Sequence, residues 1–334
     1  TQWLHSKGTS WEELYGGPST DYIKHGVPEE FNQTTWCAEK TIEFIREKNG
    51  EPWFFSYNCF APHHPFDPPA EFLGQYNPAD MPLPKTKTGE LENKTTYQQL
   101  DGQFAHNDPN AYDMGKMTDR DKQEITAAYF AMVELIDKQV GRMVGALEET
   151  GQLENTIVIF MSDHGEMLGD HGFYLKGPHF YDEAVRVPLV FSWKDRFQAD
   201  LRADCLMELI DIAPTLLEAS GLEIPEYIQG RTLLPILLGQ APAGQHRDYV
   251  FSEYYNAWTH KHSYGSMLRT REEKMVVYHG TDQGELYDLK SDPDEFENLW
   301  SDASHAELKM RMMKACFDAS VFTMDPSPPR HGQF

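Results

Sequence analysis

The sequence predicts an α/β protein: a mixed, mostly parallel sheet flanked by helices, followed by a small C-terminal antiparallel sheet with a helix. Three observations predict it. Apolar, β-branched runs alternate with helix-period stretches between residues 35 and 221. The run at 156–161 lacks polar alternation, which suits a strand buried on both faces. After about residue 245 the pattern changes to short strands joined by tight turns. Two domains are therefore expected, 1–245 and 246–334.

The elements follow in order. Residues 1–30 hold Gly, Tyr, Trp and Pro without periodicity and read as a loop or lid-like excursion. Over 35–48, Cys37, Ala38, Thr41, Ile42 and Ile45 share one helix face, and Asn49-Gly50 stops the helix. Residues 52–57 read as a buried strand running into Ala61-Pro62-His63-His64-Pro65-Phe66, where the prolines constrain the backbone. Residues 67–117, rich in Pro, Asn, Gly and Thr, form a long connection of the functional or mobile kind. Thr118 and Asp121 make a capping-box-like helix start. Ile125, Tyr129, Met132, Val133, Ile136, Val140, Met143, Val144 and Leu147 then recur every three or four residues, and Gly151 ends the helix. A Gly-rich loop with a short helix occupies 165–186, and Pro188 makes the 187–193 strand edge-like. A helix covers about 204–219 and ends near Gly221. Strands at 249–255, 266–270, 274–279 and 285–289 read as a meander, before a helix around 302–318 and a tail expected to be disordered.

Composition excludes some functions. Acidic residues outnumber basic ones, 53 against 29, for a net charge of -24 over 334 residues. Nucleic acid is an unlikely partner for such a surface, because phosphate binding needs clustered Lys and Arg. A small anionic substrate stays open, since salt screens surface charge beyond roughly 8 Å. Cys37, Cys59, Cys205 and Cys316 form no C-x-x-C pair, so they read as small buried residues. No apolar run reaches the ~18 residues of a membrane span. The chain opens on Thr1 without a start signal and reads as part of something longer, so no localisation follows from it.

The chemistry-bearing residues gather at two strand ends. Asp163-His164 follows the 156–161 run, where parallel sheets bind ligands. A carboxylate and an imidazole there can hold one metal ion; the alternative is an Asp capping a turn beside an incidental His. Asp170-His171 offers a further ligand, an outer hydrogen bond, or a simple turn pair. His63 and His64 end the 52–57 run, and a histidine held by prolines suits general acid work. Lys176, between Leu175 and Gly177, suits a cation brought to an anionic group. His64, His171 and His179 are further candidates for substrate contact.

Taken together, Ala61-Pro62-His63-His64-Pro65-Phe66, Ser162-Asp163-His164-Gly165 through Gly169-Asp170-His171-Gly172, Lys176-Gly177, Tyr181 and Arg186-Val187-Pro188-Leu189 resemble the sulfatase family of the alkaline phosphatase superfamily. Asp211-Ile212-Ala213-Pro214-Thr215 and Leu286-Tyr287-Asp288-Leu289 extend the likeness, which runs from about residue 34 to 300. The resemblance implies hydrolysis of sulfate esters by a formylglycine made from Cys or Ser in a C/S-x-P-x-R motif, with one divalent metal ion. That ion would be calcium first, with manganese or magnesium as alternatives. It implies Asp163 and His164 as metal ligands, and His63 and Lys176 as the residues contacting the sulfate and the leaving oxygen.

One departure matters. No Cys or Ser of this chain lies in C/S-x-P-x-R, and the family's N-terminal strand with its paired Asp residues is absent. The resemblance thus implies an incomplete, alkaline phosphatase-like segment whose nucleophile lies upstream. The substrate class is a small-molecule sulfate, phosphate or phosphonate ester. Phosphonate monoester or phosphodiester hydrolysis, a two-metal phosphatase, and a nucleophile-less partner subunit stand as alternatives. Partnership with a missing N-terminal portion or with further copies stays open. Specificity is expected from 1–30, 67–117 and the meander, where His260 and His262 are candidates.

Overall fold

The computed structural model describes residues 2–14, 20, 22–47, 50–104, 112–255 and 263–323. In chain order its helices begin with α1 (Gln2–Ser6), α2 (Trp11–Leu14), α3 (Gln33–Glu47), α4 (Ala70–Leu73), α5 (Thr96–Phe104) and α6 (Asp119–Glu149). Then come β1 (Val158–Met161), α7 (Asp182–Val185), β2 (Leu189–Ser192), α8 (Ile212–Ala219) and α9 (Leu234–Leu237). Strands β3 (Val250–Tyr255), β4 (Tyr264–Arg269), β5 (Glu273–Tyr278) and β6 (Gly284–Asp288) precede α10 (Ala306–Phe322). The α/β class with a small C-terminal antiparallel sheet is what these elements make.

Two compact units form, each from several segments. The first holds Thr1–Thr86, Phe104–Ile157 and Glu166–Leu175; the second holds Lys87–Gln103, Val158–Gly165 and Lys176–Phe334. They cut across the boundary expected at residue 245, because composition changes along the chain while compact units are set by contacts between distant segments.

In the first unit, α6 is the organising helix. The Thr118 hydroxyl accepts from the Asp121 N–H at 3.2 Å and the Asp121 carboxylate accepts from the Thr118 N–H at 2.7 Å, so the capping box is present. Ile125 and Met132 pack with Ile23, Phe66, Met117, Ala128, Tyr174 and Leu175 as one core cluster. Val133, expected on that face, is exposed; Ala131 and Leu135 take the buried positions instead. Helix α3 packs on α6, with Arg46 2.9 Å from Glu149 and Gln152 donating to the Ile45 carbonyl. The Asn49 stop lies outside the described residues, and α3 ends at Glu47.

Three expectations for this region are corrected. Residues 1–30 are more than a loop: α1 and α2 form, and Leu4, Ile23 and Val27 are buried. Residues 52–57 join no sheet, and Phe54 stands 79 % exposed. Their apolar pattern specifies extended chain, but a strand needs a neighbour to complete its ladder, and none among the described residues pairs with it. Trp53 and Phe55 pack instead on Phe44 of α3. Residues 67–117 carry α4, α5 and 3-10 turns, and 87–103 belong to the second unit, with Lys94, Gln98 and Asp101 buried.

In the second unit, β1 and β2 pair antiparallel, Val158 opposite Ser192 through Met161 opposite Leu189. Parallel pairing was expected here; strand direction depends on the path of the chain between the strands, which local pattern does not encode. The parallel contact among the described residues is the Ile23–Phe66 bridge of the first unit. Phe160, Met161 and Val190 are exposed. The expected 204–219 helix starts later: 204–208 are not helical, and Leu206 makes an antiparallel bridge to Arg247. The meander is as expected, in order β3-β4-β5-β6 and antiparallel throughout. Helix α10 covers one face of it, burying Met312, Cys316 and Ala319 against Leu268, Met275 and Leu286. The tail beyond residue 323 lies outside the described residues. No described helix is long and apolar enough to cross a membrane.

Candidate active site

Strand β1 delivers Asp163 and His164 at its carboxyl end, in the second unit. The turn is held by its own polar groups. The Ser162 hydroxyl donates to the His164 carbonyl at 2.6 Å, and the Asp163 carboxylate accepts from the His164 N–H at 3.1 Å. His164 Nδ1 lies 2.8 Å from the Gly165 carbonyl. A carbonyl only accepts, so in the neutral ring Nδ1 carries the proton and Nε2 carries the lone pair. That Nε2 sits 3.8 Å from Asp163 Oδ2, whose side chain is 83 % exposed. Two donor atoms so disposed, one oxygen and one imidazole nitrogen, fit two positions on a single divalent ion. Among the described residues no three His, Cys, Asp or Glu side chains are grouped to hold one.

Gly165 makes this turn possible. Its N–H donates to the Ala184 carbonyl at 2.8 Å, and a Cβ there would overlap the Glu183 carbonyl. Gly165→Ala should therefore lower the unfolding free energy by about 1–3 kcal/mol, the usual cost of overpacking. Urea denaturation tests this; an unchanged midpoint would mean that the turn yields freely.

Lys176 begins a second segment of the same unit and is half-buried. Gly177 follows it, where a Cβ would overlap Asp101 and His179. His179 is buried, its Nε2 3.3 Å from Asp101 Oδ2 and its ring 5.3 Å from that of Tyr181. Nothing in the sequence around Asp101 singled it out: it lies in α5, a short helix inside a stretch without periodicity.

His63, His64 and His171 belong to the first unit. His63 and His64 are half-buried and stacked at 4.3 Å, with Phe60 4.5 Å from the His63 ring. His63 Nδ1 lies 2.7 Å from the His64 carbonyl, which assigns proton exchange to Nε2. His171 is buried at positive φ (57°), and its N–H donates to the Lys85 carbonyl at 2.8 Å. Asp170 completes that tie by accepting from the Lys85 N–H at 2.7 Å. Glu166, missed in the sequence, closes the same loop by accepting from the N–H groups of Leu168 and Leu175. His260 and His262 lie outside the described residues.

The four cysteines are free thiols, and burial pushes all of them up, Cys316 to about 11. None is an activated nucleophile, since reactivity follows the thiolate.

A sequence model described as sulfatase matches residues 7–222. The chain belongs to the sulfatase family. A second model, the C-terminal part of N-sulphoglucosamine sulphohydrolase, matches residues 169–320. An arylsulfatase of Clostridium perfringens is 30% identical over 84% of this chain and 56% of its own length. An N-acetylglucosamine-6-O-sulfatase of Bacteroides thetaiotaomicron is 28% identical over 91% of this chain and 64% of its own. Among solved structures, a phosphonate monoester hydrolase from Silicibacter pomeroyi superposes with a TM-score of 0.86 at 25% identity, over 98% of this chain and 69% of that one. The chain thus spans well under two thirds of the arylsulfatase. The sulfatase match covers His63, His64, Asp163, His164, His171, Lys176 and His179.

Proposed function

We propose that this chain supplies part of the active site of a sulfuric ester hydrolase, with Asp163, His164 and Lys176 as its working residues. The observation that carries the proposal is the β1 end, where the tautomer of His164 is set by Gly165 and Nε2 is presented beside the Asp163 carboxylate. A divalent ion held by Asp163 and His164, with calcium the first choice, would supply charge stabilisation to the ester's oxygens. Lys176 presents an ammonium to the negative charge that grows on those oxygens as the ester bond breaks. No step is assigned to a formylglycine, because no residue of this chain lies in a C/S-x-P-x-R motif.

The test is turnover of an aryl sulfate by the polypeptide that carries this chain together with such a motif. Lys176→Ala there should lower kcat by about 10²–10³, the scale set by removing one charge-stabilising donor. The 334-residue chain by itself should give none. Metal-dependent turnover by it alone, or a Lys176→Ala enzyme as fast as wild type, would sink the assignment.

A second reading, phosphonate monoester hydrolysis, is favoured by the likeness to the Silicibacter pomeroyi hydrolase over nearly the whole chain. Relative kcat/KM on an aryl sulfate and an aryl phosphonate monoester decides between the two.

A further inference from the structure

The segment after Lys176 is gripped by the C-terminal meander. The Pro178 carbonyl, two residues beyond Lys176, accepts from the Tyr254 hydroxyl of β3 at 2.7 Å. The Tyr278 hydroxyl of β5 is 3.3 Å from the same oxygen. Tyr278, however, has one proton and a nearer acceptor, Glu285 at 2.6 Å. Glu285 is itself fully engaged, accepting from the Tyr287 hydroxyl at 2.6 Å and from Gln98 Nε2 at 3.1 Å. Tyr254 is therefore the effective donor to Pro178.

Two further features make the grip directional. The Tyr254 ring stacks on Phe180 at 5.1 Å, and the ring and hydroxyl together hold both Pro178 and its second neighbour. Burial pushes the Tyr254 phenol far above its ordinary value, so it stays a donor at every working pH. On the other side, the Asp101 and His179 side chains stand where a Cβ of Gly177 would lie. The segment after Lys176 is thus held by Tyr254 through both its hydroxyl and its ring.

We propose that Tyr254 is a positioning residue for Lys176: its hydrogen bond to the Pro178 carbonyl sets where the Lys176 ammonium is presented. The C-terminal meander then serves the site as a scaffold for its cation. This rests on the role given to Lys176 above, and the experiment separates the two.

Tyr254→Phe removes the hydroxyl and keeps the ring on Phe180. Competitive acetylation with trace acetic anhydride, read by mass spectrometry of the Lys176 peptide across pH 7–11 against an added amine standard, reports the reactivity of that one ammonium. Tyr254→Phe should change the Lys176 rate by about fivefold, the equivalent of one net hydrogen bond. Lys116, an exposed lysine of the first unit, should not change, nor should Lys176 in Tyr255→Phe, whose hydroxyl meets Glu253 rather than Pro178. A Lys176 rate equal to wild type overturns the proposal. So does a change shared equally by Lys116, which would mean general loosening. Binding of inorganic sulfate by Lys176→Ala, measured by calorimetry, decides the anion-binding role independently of the labelling result.

Discussion

Lys274→Met lowers the unfolding free energy by about 3–5 kcal/mol at neutral pH, the cost of removing one member of a buried ion pair. Lys274 is completely buried on β5, with its ammonium 2.7 Å from Glu295 and 3.0 Å from Asp182. Glu295 in turn accepts from the Asp182 N–H at 2.8 Å, so the group fixes the start of α7. Asp182 keeps Arg269 as a second partner at 3.1 Å. Among the described residues only Lys274 forms an ion pair with the Glu295 carboxylate, since Lys94 reaches the Glu295 backbone carbonyl instead, and without Lys274 that buried carboxylate loses its direct counter-charge.

The loss should depend on pH. Burial already holds the Glu295 carboxyl above its ordinary range, with Lys274 opposing that rise. Removing Lys274 raises it further. A carboxyl whose folded pKa exceeds its unfolded one favours folding while protonated, and that support disappears as pH rises through the folded value. The penalty of Lys274→Met should therefore be smaller at pH 5 than at pH 8, and adding Glu295→Gln should recover part of it. Urea denaturation at both pH values measures this; a variant within 1 kcal/mol of wild type at pH 8 would show that the cluster is not needed.

Asp211→Ala should cost a similar amount, about 3–5 kcal/mol. Asp211 is fully buried before α8 and accepts from five donors: the N–H groups of Glu208 and Arg231, His246 Nε2, and both Nε and Nη2 of Arg247. Alanine would strand two backbone donors and most of a buried guanidinium, leaving Arg247 only Glu208 at 3.2 Å. Here the pH dependence has the opposite sign. Burial would push this carboxyl up, but Arg247 and the backbone donors outweigh it and hold it below its ordinary value. Its contribution is complete above the unfolded pKa of roughly 3.9 and is lost as pH falls through the lower folded value. The gap between wild type and Asp211→Ala should thus be constant from pH 5 upward and close in stronger acid. A gap that widens in acid would contradict the assignment.

Much of this was legible along the chain. Thr118 and Asp121 announced the start of α6 because a capping box is a local device, complete within four residues. The four strands of the meander were legible because a hairpin's turn and its strands are neighbours in sequence. Asp163 and His164 were legible because they follow directly on β1. Asp101, Gln98 and Lys94 were not. Each is polar and lies in a stretch without periodicity, so nothing local distinguishes a buried, paired side chain from a solvated one. Their partners, His179, Glu285 and Tyr287, lie 78, 187 and 193 residues away.

The sequence by itself determined the α/β class, the long helix, the meander and the family. These rest on period, capping and ordered motifs, which are short-range properties of the chain. Tertiary structure alone decided that β1 and β2 run antiparallel and that 52–57 pair with no described strand. It also decided that residues 87–103 fold with the C-terminal part, and that Tyr254 reaches the Pro178 carbonyl beside Lys176. Strand direction, buried polar pairing and the donor chosen by a given carbonyl all depend on which distant segments meet, and no local pattern carries that information.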